Sequence, residues 1–179
     1  MRRNDFRFFR AGLFVAGLLL IMTTPAMLAQ GSSPEVQKAY AHINRNAKLE
    51  VDISKMAMKN SQNADVKKFA HQIISENNSL ESELFTYAER DNYQLRADPP
   101  AEAVQAQKKM KPLTGADFDK LYLTQMVSFE KDDLQAVQDA GTPGSGTELS
   151  AVCAKVQSQS ADRTKQITQL AAAENFIIQ

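Results

Sequence analysis

The feature that most constrains the fold is a stripe of positions repeated every three or four residues between residues 36 and 57. This spacing puts about one side chain per turn on the same face of a helix, which is typical of a helix packed against other helices. We call such a stripe a seam, and the first consists of Val36, Tyr40, Ile43, Ala47, Glu50, Ser54 and Ala57. Because Glu50 stands among apolar and small residues, its carboxylate needs a partner, a metal ion or a proton inside the protein.

Three more helices with seams of this kind follow along the chain, so the periodicity predicts four long amphipathic helices. The second seam is Val66, Ala70, Ile73, Asn77, Leu80, Leu84 and Tyr87. The third helix has two neighbouring stripes, Phe118, Tyr122, Met126 and Phe129 beside Leu123, Val127, Glu130, Leu134 and Val137. The last seam is Leu149, Cys153, Val156, Ser160, Arg163, Ile167 and Leu170. The absence of Trp and the low content of Gly and Pro also favour an all-α fold.

Helix-capping residues and chain breakers predict how these helices are connected. The expected caps are Ser32 or Ser33, Asn63, Thr114, and Ser145 or Thr147. The first and last connections are short, whereas residues 91–114 form a long, proline-containing connection with room for a short helix at 101–110. Short connections join antiparallel neighbours, and a long one lets helices two and three run parallel. We therefore predict an all-α, ferritin-like four-helix bundle with a long crossover between helices two and three; an all-antiparallel bundle is the alternative.

The first thirty residues have the composition of a secretory signal peptide. Four Arg residues precede an unbroken apolar or small run at 11–22, and small residues lead to Ala29. The run is shorter than the roughly 20 residues that a membrane span needs. We predict a signal peptide at 1–29, a bundle domain at 30–179, and export to the periplasm or cell envelope. The alternative is an N-terminus that stays uncleaved as a membrane anchor.

The charge composition limits which kinds of partner the chain can bind, and the cysteine content limits its covalent cross-links. Cleavage after Ala29 leaves 17 basic and 20 acidic residues, with no basic patch of the kind that binds nucleic acid. We expect no nucleic-acid partner and no stable membrane span after cleavage. With Cys153 as its single cysteine, the exported chain has no internal disulfide. Its place on a seam favours a small buried side chain, with a reactive thiol as the alternative.

One polar residue interrupts each of the four seams, and all four lie at a similar depth. They stand 14 to 17 residues after the predicted caps, which is about 21 to 26 Å along each helix. The sequence therefore predicts one buried polar layer made of Glu50, Asn77, Glu130 and Arg163. If the seam assignment is off by one residue, some of these side chains reach solvent instead.

The composition of this layer differs from that of a ferritin-like di-metal centre. Such centres use Glu on two helices and Glu-x-x-His on the other two, and this chain has no Glu-x-x-His. His42 and His71 stand outside the layer, and Arg163 would neutralise the charge that attracts a metal ion. We expect a Glu–Arg–Glu cluster completed by Asn77 and no cofactor. The alternative is an iron or manganese site that uses Glu50 and Glu130.

Several stretches between Ala39 and Leu170 resemble a bacterial family of exported ferritin-like proteins of unknown function, often called outer membrane proteins. The matching pieces are Glu50 with Ala57, residues 66–70 (VKKFA) and residues 115–123 (GADFDKLYL). The family pattern usually has Asp-His at positions 76 and 77, His at position 130, and another His at or next to position 163. This chain has Glu, Asn, Glu and Arg there. The resemblance therefore implies the fold and export, and only Glu50 of the family's polar positions is retained.

The sequence contains no signature of a known catalytic site. Nothing in it resembles a nucleophile–base pair, a phosphate-binding loop or a zinc motif. We expect no catalytic residues and a non-enzymatic periplasmic or envelope protein, which binds another envelope protein or itself, or acts in stress protection. A metal-binding redox or storage protein is the alternative from a different functional class.

Overall fold

The computed structural model describes residues 34–90, 92–95, 98–139 and 148–178. These residues form five helices and no strand: α1 (Pro34–Asn60), α2 (Ala64–Arg90), α3 (Ala101–Met110), α4 (Gly115–Asp139) and α5 (Glu148–Ala173). The predicted all-α class is thus confirmed for the described part of the chain. The predicted signal peptide at 1–29 and the predicted caps at Ser32, Ser33, Ser145 and Thr147 lie outside the described residues.

The turn between α1 and α2 is fixed by its own polar side chains. Asn63 Oδ1 accepts hydrogen bonds from the backbone N–H groups of Asp65 and Val66, at 2.8 and 3.3 Å. These N–H groups have no partner inside the helix, so Asn63 is the N-cap of α2, as its sequence position predicts. The three-residue turn makes α2 return along α1, which brings the two seams together.

Cross-helix contacts establish the directions of the four long helices. α1 packs against α2 and α4, and α5 packs against the same two helices. Contacts between α1 and α4 pair the end of one with the start of the other: Ser54 with Tyr122, and Asn46 with Asp133. Since α2 and α4 are both antiparallel to α1, they run in the same direction. The connection that contains α3 therefore carries the chain back along the helices, and the all-antiparallel alternative is wrong.

The apolar core has two parts, one on each side of the helix midpoints. The larger part, which includes Ile53, Ile73, Phe118, Tyr122, Met126 and Ile167, lies toward the α1–α2 turn and also takes in Ala103 and Met110 of α3. The smaller part lies toward the other end and includes Tyr40, Ile43, Leu80, Leu84, Val152 and Val156, with the free thiol of Cys153 buried among them. The predicted polar layer occupies the level between the two parts.

Burial departs from the predicted seams mainly near the helix ends and along α1. Val36, Tyr87 and Leu170 are half-buried because fewer neighbours surround a helix end, and the side chain of Leu149 lies outside the described residues. Val127 and Leu134, which belong to the second predicted stripe of α4, are also half-buried. Additional residues of α1 are buried beside its seam: Asn44, Asn46, Leu49, Val51 and Ile53. α1 is therefore enclosed over a wider arc than a single stripe covers. None of the helices in the described ranges is both long and apolar enough to cross a membrane.

Candidate functional site

Each of the four long helices contributes a buried polar residue to one layer. Glu50 on α1, Asn77 on α2, Glu130 on α4 and Arg163 on α5 are all 3% exposed or less. The structure brings these four side chains into direct contact, with Arg163 at the centre. We call this set, together with Glu76, the Arg163 cluster.

The guanidinium of Arg163 makes five polar contacts inside the cluster. Nη1 lies 3.0 Å from Oε2 of Glu50 and 3.4 Å from Oε1 of Glu130. Nη2 donates to Oδ1 of Asn77 at 2.8 Å and lies 2.9 Å from Oε2 of Glu76. Nε donates to the same Glu76 oxygen at 3.0 Å. A planar group with five donors in fixed directions is thereby held by residues from three other helices.

Asn77 joins the acidic and basic members of the cluster. Its Oδ1 accepts from Arg163, while its Nδ2 donates to Oε2 of Glu50 at 2.7 Å and lies 3.4 Å from the carbonyl oxygen of Ala47. A carboxylate in this place could not donate to Glu50, and an apolar residue could not accept from Arg163. The amide therefore satisfies both neighbours at once.

The carboxyl groups of the cluster are hard to ionise despite the neighbouring cation. Burial and the neighbouring Glu130 raise the pKa of Glu50 to about 8, although Arg163 and Asn77 act in the opposite direction. Burial likewise raises the pKa of Glu130 against the effect of Arg163. Oε1 of Glu50 and Oε2 of Glu130 are both buried and accept no hydrogen bond from the described residues. A single guanidinium thus faces more buried carboxyl groups than it can neutralise.

The sequence prediction missed Glu76, which reaches Arg163 from the edge of the layer. Its side chain is 27% exposed and lines a polar cleft of about 320 Å³ between α2 and α5. Glutamine side chains dominate the wall of this cleft: Gln72, Gln159, Gln166 and Gln169. Because Glu76 lies one residue before the seam position Asn77, periodicity alone did not include it, and the Asp-His pair of the family pattern at positions 76 and 77 was the available signal.

A second set of polar residues, also missed, lies where α1 meets α4. Asp133 is buried, and its Oδ1 accepts a hydrogen bond of 2.7 Å from Nδ2 of Asn46. Asp133 follows Glu130 by three residues and Asn46 precedes Glu50 by four, so both lie on the same helix faces as the layer. That spacing was the available signal.

The two histidines have different surroundings, and neither contacts Arg163 in the structure. His71 is exposed. His42 is half-buried, with Nδ1 2.9 Å from Nη2 of Arg45 and Nε2 3.9 Å from Oδ1 of Asp133. Burial and the adjacent Arg45 lower the pKa of His42. It borders a cleft of about 410 Å³ that is enclosed by α1, α3 and α4.

The Arg163 cluster does not fit a di-metal centre of the ferritin-like type. Its two buried glutamates each offer one oxygen without a hydrogen bond, but their other oxygens are bound to the same guanidinium nitrogen. That fixed positive charge lies where metal ions would need negative charge. Within the described ranges, no group of three or more His, Cys, Asp or Glu side chains is arranged to hold a metal ion.

Comparisons with known proteins identify a family and a fold. A family described as a domain of unknown function, DUF4142, matches residues 22–170. The curated proteins contain no match. The crystal structure of a DUF305 protein from Streptomyces coelicolor, considered to be secreted, is similar with a TM-score of 0.69 at 12% identity. The match covers 79% of this chain and 93% of that one, and at this identity it indicates a shared helical fold alone.

Proposed function

This chain belongs to the DUF4142 family of domains of unknown function, and from that premise we propose that it is an exported, non-enzymatic, ferritin-like helical bundle. In this proposal, the Arg163 cluster takes the place that a di-metal centre occupies in metal-binding ferritin-like proteins. The protein acts by binding a partner in the periplasm or cell envelope, either another protein or a second copy of itself. A role in protection against envelope stress is the alternative within this proposal.

The arrangement of the long helices supports the ferritin-like part of the proposal. α2 and α4 run parallel, are joined by a long connection and are antiparallel to α1. α5 is antiparallel to both, because Lys155 near its start pairs with Glu83 and the later Arg163 pairs with the earlier Glu76 on α2. Bundles with one long crossover have this order of directions. The polar layer also lies at the level where such bundles build their metal sites.

The observation that carries the non-metal part is the set of five polar contacts that the Arg163 guanidinium makes. Each of its three nitrogens lies within 3.4 Å of at least one acceptor, so the cation is held in place from three other helices. A buried cation that is held by three carboxyl groups is a structural element, because removing it would leave those groups unpaired.

Export is supported by the N-terminal sequence. A basic start, a short apolar run and small residues before Gln30 are what signal peptidase substrates require. The proposed domains are therefore a signal peptide at 1–29 and the mature protein at 30–179. Mass spectrometry of a periplasmic extract should find a chain that begins at or near Gln30. An intact N-terminus in the membrane fraction would contradict export by cleavage.

A metal-binding redox or storage protein is the second candidate, and one observation favours it. Oε1 of Glu50 and Oε2 of Glu130 are buried without a hydrogen bond from the described residues, and carboxylate oxygens are suitable ligands for iron or manganese. For a metal ion to use both, Arg163 would have to leave its present position. Such a movement has to break five contacts of the guanidinium.

Metal analysis of protein purified without chelator separates the two candidates. The first predicts less than stoichiometric iron or manganese and a melting temperature that neither added metal nor chelator changes. The second predicts stoichiometric metal that is lost in the Glu50→Gln, Glu130→Gln double variant. Glu83→Gln on the surface of α2 is the matched control, since it removes a carboxylate that pairs with Lys155 outside the cluster.

A further inference from the structure

The polar residues between α1 and α4 form a chain of contacts from solvent to a buried carboxyl group. It runs from Arg45 through His42 and Asn46 to Asp133. Asn46 and Asp133 are each 4% exposed, whereas the His42 side chain is 27% exposed and borders the clefts on this side of the molecule. The positions of the hydrogen atoms along this series of contacts follow from which of its atoms can donate a hydrogen bond.

The Arg45 end determines the tautomer of His42. Nη2 of Arg45 lies 2.9 Å from Nδ1 of His42 and can only donate a hydrogen bond, so Nδ1 must accept it. Burial and Arg45 lower the pKa of His42, which keeps the ring neutral at pH 7. A neutral imidazole that accepts at Nδ1 carries its hydrogen on Nε2.

The hydrogen on Nε2 then determines the orientation of Asn46. The amide atom placed as Nδ2 of Asn46 lies 3.1 Å from Nε2 of His42 and 2.7 Å from Oδ1 of Asp133. The oxygen and nitrogen of an Asn amide have nearly the same shape, so their hydrogen-bond partners decide which is which. Nε2–H has an acceptor here when the Asn46 amide is turned by half a rotation, which brings its oxygen to this position.

The amide oxygen in turn determines the state of Asp133. An ionised Asp133 would put two acceptors 2.7 Å apart with no hydrogen between them. A protonated Asp133 instead donates its O–H to the Asn46 oxygen, and every contact in the chain then has one donor and one acceptor. We propose that Asp133 is a proton-binding site that is occupied at neutral pH and that responds to solvent pH through Asn46 and His42.

The charges around Asp133 favour the bound proton. Burial and then Glu50 from α1 raise the pKa of Asp133 well above its ordinary value, and Glu130 from its own helix adds to this effect. Arg163 from α5, and a hydrogen bond donated by Asn46 in the unturned orientation of its amide, act in the opposite direction. The charged groups that act on His42 at the other end are Arg45, Asp132 and Asp139.

Release of the proton has a defined structural consequence. The proton leaves Asp133 for water, the Asn46 amide turns to donate its N–H to the carboxylate, and the His42 hydrogen moves from Nε2 to Nδ1. Nδ1–H then faces Arg45, which must withdraw its guanidinium. None of these atoms contacts Arg163 in the described residues, although its charge and those of Glu50 and Glu130 act on Asp133.

Carboxyl-carbon NMR of the full mature protein with labelled aspartate tests the proposal. The Asp133 signal, identified by its loss in Asp133→Asn, should keep the shift of a neutral acid at pH 7. Nitrogen NMR of His42 should find the hydrogen on Nε2. Titration of Asp133 together with the surface aspartates, or a hydrogen on Nδ1 at pH 7, would overturn the proposal.

Thermal melts of Asp133→Asn provide a second readout, with Asp52→Asn at an exposed position of α1 as the control for loss of one carboxyl group. Asn at position 133 donates to Asn46 as the protonated acid does, but it takes up no proton on folding. The variant should therefore melt above the wild type at pH 7, and by a larger difference than at pH 4, because only the wild type must bind a proton when it folds. A variant that melts far below the wild type at pH 7, with Asp52→Asn unchanged, would mean that the ionised form is native.

Discussion

Replacement of Arg163 by leucine removes the cation that contacts two almost fully buried carboxyl groups. The side chains of Glu50 and Glu130 are each 1% exposed, so water cannot take over the lost contacts. Removing one member of a buried ion pair costs about 3 to 5 kcal/mol, because the other member stays buried and unpaired. For a domain of about 150 residues each kcal/mol lowers the melting temperature by about 2 to 4 °C, so we expect a decrease of roughly 6 to 20 °C.

The informative comparison is with a triple variant in which Glu50, Glu130 and Arg163 are all leucine. This variant leaves no buried charge unpaired among the three, and replacing a whole buried ion cluster by apolar residues is often neutral or stabilising. We therefore expect the single variant to melt below the triple variant. Lys155→Leu is the control, since it breaks a half-exposed ion pair with Glu83 that is worth at most about 1 kcal/mol.

The pH dependence of the single variant adds a second criterion. Without Arg163, Glu50 and Glu130 can remain buried only as neutral acids, which low pH supplies. In melts followed by circular dichroism, the melting temperature of Arg163→Leu should therefore lie further below that of the wild type at pH 8 than at pH 5. A single variant that melts with the wild type, or a triple variant that melts below the single one, would refute the reasoning.

Three further predictions concern individual side chains. The pKa of Glu50 is raised from 4.5 to about 8, so the native state holds a proton that the unfolded chain releases in this range. Stability should fall as the pH rises from about 4.5 to 8, and Glu50→Gln should flatten the plot of melting temperature against pH. Tyr122→Phe leaves the buried Ser54 hydroxyl, now 2.9 Å from the Tyr122 oxygen, without its partner, and urea unfolding should detect a loss of about 1 to 3 kcal/mol that adding Ser54→Ala partly restores. Cys153 should react with a thiol reagent far more slowly in the folded than in the unfolded protein, because it is buried and burial raises its pKa.

Helical periodicity was enough to derive the helices and to place four polar residues on inner faces. A period of 3.6 decides which face a residue occupies, and a long helix gives many turns over which the pattern can be counted. Depth could also be derived, because rise per residue is constant and the caps mark where counting starts. Counting residues from the predicted caps was therefore enough to predict that Glu50 and Arg163 lie at similar depths along their helices.

Periodicity could not predict two parts of the site. One depends on how far a side chain extends from its helix, and the other depends on how much of a helix circumference its neighbours cover. Glu76 lies off the seam, and only the direction of the Arg163 guanidinium brings the two together across the α2–α5 cleft. Asn46 and Asp133 are buried because α1 is enclosed over a wide arc, which depends on packing between elements distant in sequence. A single seam per helix underestimates such burial.

The position of Arg163 also limits how the long helices can slide past one another. Its guanidinium holds Glu50 on α1, Asn77 on α2 and Glu130 on α4, so one side chain on α5 sets the axial alignment of all four helices. A shift of any helix by one turn would move its polar residue about 5 Å away and bring apolar groups against the cation. Shear motion between helices, a common way for helical proteins to change shape on binding, is therefore blocked at mid-height. Binding of the proposed partner should consequently use the outer faces and the ends of the helices and leave the buried polar layer unchanged.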